Sequence, residues 1–313
     1  VTRVAAVDCG THSLRLLVAD VDPGTGRLVD LRRCLEVVRL GEGVDRTGMI
    51  SPQRLTRALE VLAEYRRWCD EAGVERIRMV ATSASRDARN RDDFVAGVRR
   101  VLGVEPQVIS GQEEARLSFR GAVSALDPAA PAPYLVVDLG GGSTEFVLGG
   151  QEVDAARSVD VGCLRMTERH LHDDPPDAAQ IAAAEADVDA ALDQAAQDVP
   201  LAETGTLVGL AGTVTTLTAH VLGLDRYDSA AIHGAVLPVE RVRTACGEIL
   251  GMSRRDRAAL PYMHPGRVTV IGGGVLVWRR VVDRLAAVAG ITQVVTSEHD
   301  ILDGIALGLA DVR

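Results

Sequence analysis

Two carboxylates, three glycines and two hydroxyls stand within eight consecutive residues: Asp138, Gly140, Gly141, Gly142, Ser143, Thr144 and Glu145. Glycines lack a Cβ and permit positive φ, so backbone N–H groups there can converge on an anion. Ser143 and Thr144 add hydroxyl donors. Carboxylates flanking a phosphate cradle make chemical sense when a hard cation such as Mg²⁺ sits between them. A lone run of this kind fits equally well a Gly-rich hairpin whose acids face solvent.

The run is not alone. The segment VAAVDCGTHSLRLLVAD, residues 4–20, aligns on it without gaps. Asp8 falls on Asp138, Gly10 on Gly140, Ser13 on Ser143 and Arg15 on Glu145. A repeated strand–turn–strand unit predicts two related halves, each offering a phosphate-binding turn. Two further turns, Gly212-Thr213 and Gly272–Gly274, read as strand-to-helix junctions, where helix N-terminal amides bind anions. Glycine is also common at such junctions for packing alone. Glu113 and Glu114 open a helix and point about 100° apart, so only one can face inward. Ser110 with Glu113 has capping-box spacing, which leaves Glu114 for chemistry or for solvent. Arg86, Arg116 and Arg120 could supply forked donors to phosphate oxygens. His12 lies inside the first turn, and the other six histidines show no metal-ligand spacing.

The elements that must position these residues alternate between strand and helix. Apolar runs before Asp8 and Asp138 read as buried strands, and the segments after each turn as their hairpin partners. Residues 28–40 add one or two strands to the first sheet, and Gly41 to Gly48 reads as a loop. Ser51-Pro52 caps a helix over 53–72. A strand over 74–81 delivers Thr82 to Asp87 at its C-terminal end, where ligands gather in open α/β sheets. Helices follow over 90–102 and 112–123, with a short strand at 107–109 between them. The Pro-rich stretch 126–133 reads as a linker. It sets domain bounds of 1–126 and 127–299, with a helix at 300–313 packing back on the first domain. In the second half strands are expected at 153–161, 207–210, 268–271 and 294–296. Helices are expected at 164–171, from Pro175-Pro176 to about 197, to about 222, and at 239–250, 275–288 and 301–309.

Composition narrows the function classes. With 313 residues and 47% hydrophobic content, two real cores are possible. Aromatics at 3% leave little for base stacking, and a net charge of −10 opposes broad nucleic-acid or anionic-membrane binding. The chain has no lysine; all 34 basic residues are arginine. That excludes a Walker-type P-loop and Schiff-base chemistry. Five scattered cysteines without a C-x-x-C pair suit a reduced, cytoplasmic setting. Residues 1–3 run straight into a strand, and no apolar run has membrane-span length, so neither signal peptide nor span is expected.

Taken together, DCGTHSLRLL, ATSASRDARN, ISGQEEARLSFRGA, VVDLGGGSTEFVLG, DVGCLRMTERHL, GLAGTVTTLTAH and SEHDILDGIALGL resemble the exopolyphosphatase and guanosine pentaphosphate phosphatase (Ppx/GppA) family. The chain looks closest to a short, two-domain actinobacterial form. The resemblance implies an α/β architecture: a duplicated actin-like, ribonuclease H-like ATPase fold with an interdomain cleft. It also implies a phosphoanhydride hydrolase with Glu114 as general base. Asp138 and Glu145 would hold Mg²⁺, with Mn²⁺ as the alternative. Phosphates would be held at Gly10, Thr11, His12, Ser13, Arg86, Gly140, Gly141, Gly142, Ser143, Thr144, Gly212 and Thr213. The implied substrate is inorganic polyphosphate, of short chain length because the extra helical domains of longer relatives are missing. Guanosine penta- or tetraphosphate is the alternative, either hydrolysed or bound by a low-turnover regulator. A homodimer is allowed. The family commonly carries Asn where His12 stands, and a titratable ring there would alter phosphate binding or its pH dependence.

Overall fold

The computed structural model describes residues 1–124 and 126–311; Ala125, Val312 and Arg313 lie outside the described residues, the last two within the expected C-terminal helix. The chain divides into two compact units, Val1–Gly121 with Ile301–Arg313, and Ala122–Asp300.

The first unit begins with β1 (Thr2–Cys9), β2 (Ser13–Val21) and β3 (Leu28–Val37), a meander in which each strand is antiparallel to the one before. After it come α1 (Val44–Thr47), α2 (Pro52–Ala72), β4 (Arg76–Ala81), α3 (Ser83–Asp87), α4 (Arg91–Leu102), β5 (Gln107–Val108) and α5 (Gly111–Val123). β4 joins β1 in parallel, giving the order β3-β2-β1-β4-β5. Local chemistry sets the long helix: the Ser51 side chain accepts from the Arg54 amide, Pro52 takes the first turn, and Gly73 ends the helix at φ 68°. Its buried face (Ala58, Val61, Leu62, Tyr65, Cys69) covers the sheet side bearing Val7, Leu14 and Leu16. The stretch 41–48, expected as loop, contains one helical turn, α1, between Gly43 at φ 75° and Gly48 at φ 66°.

The second unit repeats the plan. It comprises β6 (Tyr134–Leu139), β7 (Thr144–Gly149), β8 (Val153–Val159), α6 (Cys163–His170), α7 (Ala178–Asp198), β9 (Thr206–Leu210), α8 (Ala211–Leu222), α9 (Ser229–Ile232), β10 (Val236–Pro238), α10 (Val239–Gly251), α11 (Arg254–Ala258), α12 (Ile271–Ala289) and β11 (Gln293–Thr296). Its sheet order is β10-β11-β9-β6-β7-β8. Read from the other edge, β8-β7-β6-β9-β11 matches β3-β2-β1-β4-β5 position for position, with the same antiparallel meander and parallel neighbours. The fold is therefore the duplicated α/β actin-like one. Trp278 and Phe146 anchor its aliphatic core.

The chain then returns to the first unit as α13 (Ile301–Asp311), whose Ile301, Leu302, Ile305 and Ala306 cover the opposite side of the first sheet against Val4, Ala6, Leu17 and Ala19. Among the described residues no helix is long and apolar enough to cross a membrane.

One expectation fails. The β-branched run 268–271 reads as a strand and Gly272–Gly274 as a loop. Residues 265–267 instead form a short 3₁₀ turn, and α12 starts at Ile271 with the three glycines in its first turn.

Candidate active site

The turn between β1 and β2 is tied down through its carbonyl oxygens. Thr11 C=O accepts from the Gly41 amide at 2.9 Å, and His12 C=O from the Val38 and Arg39 amides at 3.2 and 2.8 Å. A Cβ on Gly41 would lie 2.2 Å from Thr11 Cγ2, so only glycine allows this approach. Thr11 Oγ1 and Ser83 Oγ share a buried hydrogen bond of 2.6 Å, so the Thr11 hydroxyl is engaged within the protein. With the carbonyls drawn inward, the opposite side of the turn is its N–H side, the side suited to an anion. At the base of the hairpin Asp8 lies directly opposite Arg15, whose Nε and Nη2 donate to Asp8 Oδ2 at 3.0 and 2.7 Å.

The same unit buries one of the two adjacent acids of α5. The Ser110 hydroxyl accepts from the Glu113 amide at 3.2 Å, fixing the start of the helix. The Glu113 side chain is exposed and lies 3.6 Å from Arg78. Glu114 is only 8% exposed. Arg86 Nη1 donates to Ile109 C=O at 3.0 Å and to Glu114 Oε2 at 3.3 Å. A carboxylate this deep, oriented by a guanidinium, is not an ordinary solvated helix acid.

In the second unit the turn between β6 and β7 repeats the first, with Gly140 N–H donating to Ser143 C=O at 3.0 Å, as Gly10 does to Ser13. Neither Gly10 nor Gly140 adopts positive φ; absence of a Cβ, not left-handed backbone, is what these positions use. The first turn of α6 closes over the carbonyl side. Cys163 N–H donates to Gly140 C=O at 3.0 Å, and Leu164 and Arg165 N–H to Gly141 C=O at 2.9 and 3.1 Å. Arg165 Nε reaches Gly142 C=O at 2.6 Å. Gly162 makes this possible, because a Cβ there would lie 2.6 Å from Gly141 C and O. Thr144 donates its hydroxyl to Val161 C=O at 2.7 Å, so this side chain fastens the turn. The amides of Gly141, Gly142 and Ser143 and the Ser143 hydroxyl remain as the donors suited to phosphate.

Asp138 and Glu145 face each other in the β6–β7 register, 7% and 1% exposed, and Ser158 Oγ donates to Glu145 Oε1 at 2.7 Å. Two opposed carboxylates repel, and their oxygens are hard donors. That donor set fits Mg²⁺, which takes one or two protein carboxylates and completes its shell with water and substrate phosphate. Among the described residues there is no group of three or more His, Cys, Asp or Glu that could hold a metal ion.

Gly212 and Thr213 lie in the first turn of α8, entered through Ala211 at φ 69°, a left-handed non-glycine position. Strain of this kind costs about 1–2 kcal/mol and clusters at functional sites. A Cβ on Gly212 would lie 2.5 Å from the Arg267 guanidinium carbon, and Arg267 Nη1 donates to Thr216 Oγ1 at 2.9 Å. Arg267 and Ser158 lie outside the motifs quoted above, and Arg165 lies within DVGCLRMTERHL without a role that the motif suggests; each reaches the site only through the fold.

Gly272–Gly274 serve packing. A Cβ on each would meet, in turn, the Arg257 guanidinium at 3.2 Å, Cys163 C=O at 2.5 Å and Thr213 Oγ1 at 2.2 Å. The first slot admits Arg257, which donates to Ile249 and Leu250 carbonyls at the end of α10; burial presses its guanidinium below its ordinary value. The other two let α12 touch the first turns of α6 and α8.

Residues 17–308 match the Ppx/GppA phosphatase family. The chain belongs to that family. Among Ppx/GppA relatives it is 51% identical to exopolyphosphatase 2 of Mycobacterium tuberculosis, over 99% of both chains. It is 29% identical to the guanosine-5'-triphosphate,3'-diphosphate pyrophosphatase of Aeromonas salmonicida, over 87% of this chain and 53% of that protein. A crystal structure of an exopolyphosphatase-like protein superposes with a TM-score of 0.95 at 43% identity, covering 99% of each chain.

Proposed function

We propose that this protein is an exopolyphosphatase that hydrolyses the terminal phosphoanhydride bond of short-chain inorganic polyphosphate and releases orthophosphate. The observation that carries the reading is Glu114, a buried carboxylate held by Arg86 in a chain half identical to an exopolyphosphatase along its full length. Glu114 accepts the proton of the attacking water; the water oxygen bonds to the terminal phosphorus, and the bridging oxygen leaves with the shortened chain. Arg86 keeps the carboxylate in one orientation. The amides of Gly141, Gly142 and Ser143, the matching turn at Gly10 to Ser13, and Gly212-Thr213 bind phosphate oxygens. Asp138 and Glu145 would hold Mg²⁺, or Mn²⁺, which supplies charge neutralisation to the phosphates when bound. Phosphoryl transfer needs mainly positioning and charge stabilisation, and these residues provide both. A cytoplasmic location without nucleic-acid or membrane partners accords with the net charge of −10.

A second reading, hydrolysis of guanosine pentaphosphate to the tetraphosphate, draws support from the Aeromonas salmonicida relative. Orthophosphate release with Mg²⁺ from short-chain polyphosphate, long-chain polyphosphate, guanosine pentaphosphate and ATP separates the two. Release from polyphosphate is expected, and Glu114→Gln should fold normally with kcat lower by roughly 10²–10⁴. Release from the guanosine compound alone would favour the second reading. Binding without release from any of them would point to a low-turnover regulator.

A further inference from the structure

α13 lies against α5, the helix that carries Glu114, with Gly304 set close over the backbone of Leu117. An ideal Cβ on Gly304 would lie 2.0 Å from Leu117 C=O oxygen, 2.8 Å from its carbonyl carbon and 3.1 Å from its Cα. Real Cβ atoms essentially never approach closer than 3.0 Å, so any side chain at 304 must drive the two helices apart by about 1 Å or more. The obstacle is main chain, which cannot rotate away as a side chain would.

Both helices are anchored, α5 by its buried Ala115, Ser118 and Phe119, and α13 by a charged tie in addition to its apolar face. α13 is fixed by five buried apolar residues, Ile301, Leu302, Ile305, Ala306 and Leu307, in the cluster that covers the sheet. Its buried Asp303 takes a bidentate pair from Arg33, at 2.6 and 3.2 Å. α5 would be displaced. Arg86 would not follow, because it stands on α3 and is tied to Ile109 C=O, upstream of the helix. The 3.3 Å contact between Arg86 and Glu114 is therefore the one that changes.

We infer that Gly304 is a positioning residue for Glu114: its missing side chain sets the depth of α5 and so the place of the carboxylate relative to Arg86. The same helix contains its own control one turn on. A Cβ on Gly308 would meet only the guanidinium ends of Arg78 and Arg120, at 3.4 and 3.9 Å, which are flexible and at ordinary contact distance. Both substitutions raise helix propensity equally, so they differ only in what the new methyl meets.

This inference rests on the reading of Glu114 as the general base. A displacement of about 1 Å at a reacting group costs about 10²-fold. Steady-state polyphosphate hydrolysis by the full chain, normalised to folded protein by circular dichroism, should show Gly304→Ala with kcat lower by about 10–100-fold and KM within about twofold of the parent. Gly308→Ala should match the parent in both. Asp303→Asn weakens the anchor on α13, and in Gly304→Ala/Asp303→Asn part of the lost kcat should return as α13 yields instead. If Gly304→Ala fails to fold, the double variant is compared with Asp303→Asn alone, and a lower kcat at equal KM is expected. A folded Gly304→Ala, or double variant, with unchanged kcat overturns the inference, as does a loss matched by Gly308→Ala. Parent-like turnover by Glu114→Gln would instead remove the general-base reading; inactive Glu114→Gln beside fully active Gly304→Ala would remove only the positioning role.

Discussion

The β1–β2 and β6–β7 hairpins share a turn hydrogen bond, Gly10 to Ser13 and Gly140 to Ser143, each 3.0 Å long. Both draw their turn carbonyls inward, the first onto residues 38–41 and the second onto α6. They diverge at one cross-strand position. Asp8 faces Arg15, which donates twice to its Oδ2, whereas the equivalent Asp138 faces Glu145. Duplication thus preserved the backbone cradle, while a single position separates a hairpin closed by its own ion pair from one chemically suited to a metal. The lesson is that matched geometry does not imply matched chemistry: the backbone can be copied while the charge at its base is reassigned.

The comparison can be broken at either hairpin. Asp138→Asn should raise the Mg²⁺ concentration for half-maximal activity by roughly 100-fold. An unaltered Mg²⁺ titration would take Asp138 out of the metal shell. Asp8→Asn should do the reverse. It removes the negative charge facing a mostly buried Arg15, the side chains being 16% and 5% exposed in the parent pair. Unfolding free energy should fall by about 2–3 kcal/mol, toward the low end for a broken buried pair because Arg15 keeps some solvent. Urea titration measures this, and the Mg²⁺ requirement should not move. A metal requirement altered equally by both variants would erase the distinction between hairpins.

A smaller effect sharpens the role of α6. Gly162→Ala places a methyl 2.6 Å from the Gly141 carbonyl group, pushing the turn off its support. KM for polyphosphate should rise about tenfold with little change in Mg²⁺ response; an unchanged KM would mean that the turn amides do not bind substrate. Smallest of all, Cys163 beside this turn should resist alkylation by iodoacetamide at pH 8 in the native protein. Burial pushes its thiol up to about 11, so almost no thiolate is present. Rapid native-state labelling would show that the turn opens.

Much of this was legible in the sequence because it is local. The hairpins are written in strand–Asp-x-Gly–strand periodicity, the start of α2 in Ser51-Pro52, and the start of α5 in Ser110. What stayed hidden depends on distant neighbours. Gly272–Gly274 imitates a phosphate turn, yet its glycines admit Arg257, Cys163 and Thr213, none of them near in sequence. The run 268–271 has strand propensity, and a short apolar run cannot by itself declare strand or helix; tertiary packing made its last residue the start of α12. Ser158 reaches Glu145 through strand register alone.

The closure of α6 over the β6–β7 turn also acts along the peptide groups themselves. The oxygens of Gly140, Gly141 and Gly142 belong to the same amide planes as the N–H groups of Gly141, Gly142 and Ser143. Each oxygen accepts a donor: the Cys163 amide, the Leu164 and Arg165 amides, and the Arg165 guanidinium. An amide whose oxygen accepts a hydrogen bond becomes a more acidic donor at nitrogen, strengthening each bond by about 10–30%. The positive end of a helix and the charge of an arginine are thereby relayed through three peptide planes to the opposite side of the turn. An anion there meets electron-depleted amides while the cation itself stays behind the backbone.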